Sequence, residues 1–599
     1  MYTERIESLR AMMRGRGWDA VILTGSDPHS SEYPAARWKQ VEWLTGFTGE
    51  AGDVVVTLDH AGLWTDTRYF IAARQQLAGT GVELHKMRVP GQIPIPEWLA
   101  SVFEGEDPVI AVDALCQNVD AIEALESAFG ASPHTIVGIP DLLSPLWESR
   151  PAIPQTPVYT LDESLTGLSR SSKLLWIREF LDNNSCDGVL FTALDEIAWM
   201  LNVRASDIEY NPFVISYLLV TQERCCWFVL KDPTDDPLTD GSFDLLSSEG
   251  VELLPYSDLA IVLSQEFEGS LFVDTSTLNM SVSEVLEDAG IQLVRGTSPV
   301  VLRKAVKNPV EVEGMRRAHL EDGVAMEKFL YWIETSLGRG ERISERDASE
   351  YLGSLRSEIE GYLGDSFETI SAYGSGAALP HYVTPRHDAP LLEPHGLYLC
   401  DSGGQYLFGT TDITRTVPLG RCTPLEREDY TLVLKGHIAL AKAVFPRGTA
   451  GCQIDVLARE PLWASKRNFG HGTGHGVGFC LGVHEGPQDI RQNFNRQPLL
   501  PGMITSDEPG LYREGMHGIR HENLVLCVES GANDFGDWLC FETLTLCHFD
   551  TSAIEPSLLD KSEIDWLNAY NARVYETLSP RLPEEVALWL RDKTKPLSY

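Results

Sequence analysis

Paired cysteines are missing from this chain. Its eleven cysteines include no Cys-x-x-Cys unit, and apart from the adjacent Cys225 and Cys226 they stand singly. An odd count without framework spacing argues against a disulfide scaffold and fits buried thiols in a reducing compartment. Long apolar runs are missing too: none approaches the roughly 18 residues that a membrane-spanning helix needs. The segment Met1 to Ala20 carries acids and arginines instead of a signal-type apolar core. A cytoplasmic protein with no membrane partner is therefore expected. Basic runs are also absent. Against 87 acidic residues there are only 48 lysines and arginines, giving a net charge of −39, which argues against nucleic acid or anionic lipid as a partner. Of the familiar catalytic signatures, the sequence has no Gly-x-Ser-x-Gly elbow, P-loop, His-Glu-x-x-His helix or Rossmann glycine fingerprint.

What is present starts with a repeat. The 599 residues suggest about three or four domains, and two of these resemble each other. A helical pattern from Glu4 to Trp18 leads into the apolar stretch Asp19–Thr24, with Asp27 beyond it. Lys173 to Cys186 does the same before Asp187–Thr192 and Asp195. Each copy then has a Trp-led stretch, Trp43–Phe47 and Trp199–Val203, and further strands are expected at Asp53–Leu58 and Cys226–Leu230. This reads as a duplicated α/β domain. Prolines between Pro151 and Pro157 and near Thr297–Pro299 mark boundaries. A third unit opens at Asn308-Pro309, where Asn308 can cap a helix, Pro309 suits its first turn, and Glu311 has capping-box spacing.

The chemistry concentrates in that third unit. Tyr398–Gly403 and Thr410–Val417 read as a hairpin that brings Asp401 near Asp412. Ile504–Pro509 and Gly518–Cys527 read as another, bringing Glu508 near Glu522. Two unit charges at 4 Å repel by roughly 4 kcal/mol at an effective dielectric of 20. Three escapes exist: protonation, side chains splayed into solvent, or bound cations. Between the hairpins, Gly470–Gly478 alternates glycine with His471, Thr473, His475 and Val477. As a strand it would put all the glycines on one face and both histidines on the other. Each interior glycine costs about 0.5–1 kcal/mol relative to alanine, which suggests a close approach by another backbone. With His475, the acids make an oxygen-rich set suited to two metals, Mn(II) or else Co, Fe or Zn.

These residues resemble the pita-bread metallopeptidases, and within them the three-domain Xaa-Pro aminopeptidases (aminopeptidase P). The resemblance spans almost the whole chain. It is carried by Asp401–Tyr406, Gly409–Thr416, the glycine–histidine run, Val483-His484-Glu485-Gly486-Pro487, Asp507–Gly510 and Gly518–Asn523. It implies an α/β (α+β) fold: creatinase-type domains at 1–160 and 161–304, then a pita-bread catalytic domain at 305–599. It further implies two divalent ions per subunit, most simply Mn2+, held by Asp401, Asp412, His475, Glu508 and Glu522. His381, His471 and His484 match non-ligand active-site histidines, and Tyr512 and Arg520 match substrate-contacting positions. Glu508 is the expected proton carrier when hydroxide between the metals attacks the Xaa-Pro bond of a peptide. A homodimer is implied as well. His521, where the family more often has a hydrophobic residue, is expected to point away from the metals; His387, His395 and His437 have no assigned role. The alternatives are a prolidase acting on Xaa-Pro dipeptides and a non-catalytic peptide-binding scaffold.

Overall fold

A computed structural model describes residues 2–230 and 241–598. They form two compact units, Met1–Glu163 with Leu168–Val300, and Ser164–Gly167 with Val301–Tyr599.

The first unit holds the repeat. The strands Ala20–Leu23, Asp53–Thr57, Ala61–Thr65, Glu83–Lys86, Val109–Val112 and Thr135–Gly138 form one six-stranded sheet. A second is formed by Gly188–Phe191, Ser216–Thr221, Cys225–Val229, Glu252–Pro255, Ser270–Val273 and Gln292–Arg295. Strand order is the same in both, and so is the direction of every corresponding pair. The helices before the first strands, Tyr2–Arg16 and Arg170–Asn184, lie where the periodicity predicts them. Within the two Trp-led stretches, Trp43–Thr45 and Trp199–Leu201 are helical. Gln40–Thr45 ends at Gly46 and Leu194–Leu201 at Asn202, both in the left-handed conformation that closes a helix.

The second unit opens with the helix Pro309–Gly338, whose start carries the expected capping box: Asn308 accepts from the Glu311 N–H while Glu311 answers the Asn308 N–H. Two sheets of this unit position its acids. In one, Leu397–Ser402 runs antiparallel between Ile370–Tyr373 and Ile413–Pro418. In the other, Ile504–Asp507, Asn523–Asn533, Gly536–Thr543 and Val444–Pro446 pair in that order. The helix Pro424–Ala441 contributes Tyr430, Leu432, Val433, Leu434 and Ile438 to a core that also contains Leu511, Ile519 and Phe549.

Candidate metal centre

The four acids lie at strand ends. Asp401 pairs with Thr414 in the register of its sheet, and Asp412 immediately precedes the strand Ile413–Pro418. Asp507 pairs with Asn523, so Glu508 and Glu522 each fall one residue outside the ladder. The expectation of one continuous hairpin joining them is corrected: a separate short hairpin, Gly510–Arg513 with His517–Arg520, intervenes. The cause is local. Pro509 has no N–H to donate, while the Glu508 N–H bonds Thr473 O at 2.7 Å and the Glu522 N–H bonds Thr414 O at 3.1 Å. Those two bonds leave the ladder and tie the acids to neighbouring segments.

The glycine–histidine run is likewise not one strand. Only Gly474–His475 pairs, with Asp489–Ile490, and Gly476 forms an isolated bridge to Thr505. The alternation still has a physical reason. A Cβ on Gly474 would lie 2.0 Å from Ser506 O, and one on Gly476 would lie 2.0 Å from Glu485 O. The bare positions therefore admit the protein's own backbone, not that of a substrate. Thr473 does not stand beside the histidines as a free hydroxyl. It is buried and donates to Asp455 Oδ1 at 2.6 Å. Arg459, paired with Asp455, donates to the carbonyls of Phe469 and His471 at 2.9 and 2.8 Å.

Around His475 the side chains converge. Asp412, His475 and Glu522 each offer a donor atom within 4.8 Å of the others. His475 Nδ1 donates to Gly476 O at 3.0 Å, which leaves the Nε2 lone pair facing Asp412 Oδ2 at 3.5 Å and Glu508 Oε1 at 3.4 Å. Asp401 and Asp412 are buried, and the Oδ1 of each has no hydrogen-bond partner. Burial pushes Asp401 above the usual carboxylate range, although Arg520 holds its other oxygen. Burial pushes Glu508 up to about 7. Glu522 is raised furthest, by burial and then by Asp412 beside it. Thr414 Oγ1 and Ser506 Oγ donate to Glu522 and Glu508 at 2.7 and 3.1 Å. Buried carboxylate oxygens without partners are costly on their own, and cations among them would remove that cost. The donor set fits two hard or borderline divalent ions.

His471 has a different environment. Arg520 Nη1, which can only donate, gives a hydrogen bond to the Tyr512 hydroxyl at 2.7 Å. The phenolic proton therefore goes to His471 Nε2, also at 2.7 Å, and His471 Nδ1 donates to Gly472 O. Burial, then the Arg520 charge, keep this imidazole neutral, with its pKa well below the usual value. His484 packs edge-on against His475 with ring centroids 4.4 Å apart. His381 lies in the neighbourhood of Asp401 and His471. His521 is fully buried between Tyr430 and Phe549, away from the acids. His387 and His395 are exposed. His437 is a core histidine bonded to Asp507 and Asn523.

Sequence reasoning missed the residues that hold the site together. Arg415 is buried and donates to the carbonyls of Thr414 and Glu522 at 3.0 and 2.6 Å, joining the two sheets. Glu485, next to His484, is buried between Lys304 and Lys307 at 3.0 and 2.7 Å. Asp455 and Arg459 carry the i,i+4 spacing of a helical ion pair, which was a readable signal; their partner run was not.

Residues 313–529 match metallopeptidase family M24, and 537–597 match the C-terminal region of that peptidase. Residues 5–145 and 149–311 each match a creatinase/prolidase N-terminal domain. The chain is 37% identical to a "Probable Xaa-Pro aminopeptidase P" of Tuber melanosporum over 99% of both chains. It is also 37% identical to "Aminopeptidase P2" of Arabidopsis thaliana, over 99% of this chain and 88% of that one. A crystal structure of X-prolyl aminopeptidase from Caenorhabditis elegans, described as a cytosolic enzyme with a di-nuclear active site, superposes with a TM-score of 0.94 at 35% identity over the whole of both chains.

Proposed function

The chain belongs to metallopeptidase family M24, and on that premise we propose that it is a metal-dependent aminopeptidase releasing the N-terminal residue from peptides with proline in second position. The observation that carries this reading is the convergence of Asp412, His475 and Glu522 within 4.8 Å, with the His475 lone pair aimed at carboxylates. The full-length likeness to proteins described as Xaa-Pro aminopeptidases supports the substrate class.

Asp401, Asp412, His475, Glu508 and Glu522 would hold two divalent ions, for which Mn2+ is the proposed identity. When bound, these would supply Lewis acidity and neutralise charge developing at the reacting centre. The remaining chemistry belongs to the chain. Glu508, whose carboxylate accepts from Ser506, is placed to take the proton that the attacking water gives up. It would pass that proton to the departing proline nitrogen, which leaves poorly as an unprotonated amide anion. His381 and His484 would donate to the substrate carbonyl as negative charge grows on its oxygen. His471 is fixed in one tautomer by Tyr512 and Arg520 and would contact the peptide without binding metal. Asp401 would receive the free α-amine and so restrict cleavage to the first residue.

Asp401→Ala should abolish metal-dependent release of arginine from Arg-Pro-Pro; normal turnover would sink the assignment. Cleavage of Xaa-Pro dipeptides alone would favour prolidase instead, and absence of bound metal after Mn2+ incubation would favour a scaffold. We divide the chain at 1–160, 161–304 and 305–599, a division supported by the two equivalent sheets. The cytosolic description of the nematode protein supports a cytoplasmic location. The homodimer rests on family resemblance, and sedimentation would test it.

A further inference from the structure

The duplicated sheets differ at one edge. In the second, a turn closed by Thr221 N–H to Arg224 O at 2.9 Å brings Arg224 onto Glu252 of the edge strand, with contacts at 3.1 and 2.7 Å. Cys226 pairs with Glu252 in that register, and Phe228 with Leu254. In the first, the corresponding turn is closed by Thr57 N–H to His60 O at 2.8 Å. Gly62 pairs with Glu83, and Trp64 with His85. Thus Glu83 stands where Glu252 does, but the arginine is replaced by His60 and the leucine by His85. The built-in cation of one copy becomes a pair of imidazoles in the other.

Those imidazoles are arranged closely. His60 Nε2 and His85 Nε2 are 3.1 Å apart, and Glu83 Oε2 is 3.8 Å from His60 Nδ1, so the carboxylate must swing towards the Nε2 side to join them. The three residues offer donor atoms within 4.8 Å of one another. His85 stacks on Trp64 with centroids 3.8 Å apart, and Trp98 lies 5.0 Å from His60. Gly62 makes the room: a Cβ there would lie 2.8 Å from both His60 Nε2 and His85 Cδ2. Glu83 and His85 alternate with Leu84 along the edge strand and so share a face.

We propose that His60, His85 and Glu83 form a second metal site, for a single borderline divalent transition ion such as zinc. Two imidazole nitrogens and one carboxylate oxygen suit such an ion better than manganese, leaving a fourth position for water. At Zn–N distances near 2.1 Å, two nitrogens on one tetrahedral ion lie about 3.4 Å apart, so the rings need open only by a few tenths of an ångström. Partial burial lowers the pKa of both histidines, which keeps their lone pairs available at neutral pH.

The test uses the full chain, stripped with chelator and dialysed against zinc, with the metal counted by elemental analysis. The wild type should retain one equivalent more than the His60→Gln/His85→Gln variant, whose Mn2+-supported peptidase activity should be unchanged. Glu83→Gln alters an exposed side chain and should leave the fold intact. It should weaken zinc retention by at least the about 10–100-fold that outer-shell changes cost. Repeating the comparison in an Asp412→Ala background separates the two sites. The one-equivalent difference should persist there whether or not the catalytic reading holds. Equal zinc counts in wild type and variants, with His60 and His85 merely sharing a proton, would overturn the site.

Discussion

His471 and His475 sit four residues apart on the same run and are built alike up to one atom. Each directs Nδ1 to the carbonyl of the glycine that follows it, at 2.7 and 3.0 Å. Each therefore turns Nε2 outward with a lone pair. At His471 that lone pair receives the Tyr512 hydroxyl proton, itself oriented by Arg520. At His475 it receives nothing and faces two carboxylates. The same local sequence thus yields one filled acceptor and one unfilled one. What distinguishes a ligand from a positioned bystander is the far side of the pocket, supplied by residues dozens of positions away.

His475→Ala should have the largest effect, removing metal and Xaa-Pro cleavage together, as elemental analysis and peptide assays would show. His471→Ala should break the pairing the other way: metal content is kept while kcat falls by about 10–100-fold, the scale of losing a supporting contact. If both variants lost metal equally, the distinction would collapse. Tyr512→Phe sharpens it. The imidazole stays but its acceptor is emptied, and turnover should fall by about 10–100-fold with both metals retained.

pH separates the two ends without mutation. In the metal-free protein Glu508 is raised to about 7 from a usual 4.5. The folded state therefore holds a proton that the unfolded state releases above its own pKa. This contribution to stability is fully present below pH 4.5 and is lost as pH rises through 7. Metal requires the deprotonated acids, so the rise in Tm on adding Mn2+ should grow from pH 6 to pH 8. His471, already neutral there, should contribute nothing. The smallest effect on activity is expected from Thr473→Val, which leaves Asp455 Oδ1 unsatisfied. It should cost about 1–3 kcal/mol of stability while affecting metal content and turnover in parallel, because it loosens the run that carries both histidines.

Much of this was legible because it depended on neighbours in sequence. Asn308, Pro309 and Glu311 announce their helix through contacts that span a single turn. The two Asp-led strands announce the repeat through apolar runs of equal length. The acids were also visible as a set. The placement of Glu508 and Glu522 just beyond their ladder was not, because it depends on where their N–H groups find partners, and both partners lie on other segments. The alternation in the glycine–histidine run suggested a regular strand, yet its hydrogen bonds are shared among Asp489–Ile490, Thr505 and Glu508. The Arg520–Tyr512–His471 chain is a property of three segments meeting, which no periodicity encodes. The need for bare backbone was readable from the glycines, but not what would fill the space.

The two tight glycines carry a further consequence for how this protein can change. Every single-base replacement of a glycine codon that alters the residue adds at least one carbon. At Gly474 and Gly476 that carbon would land on a carbonyl oxygen 2.0 Å away, whereas at Gly472 the nearest atom is 3.4 Å off, on Arg491. A saturation scan should therefore find position 472 tolerant and positions 474 and 476 without a single accepted neighbour. In mutational terms, a stretch whose composition looks pliable holds two positions with no exit.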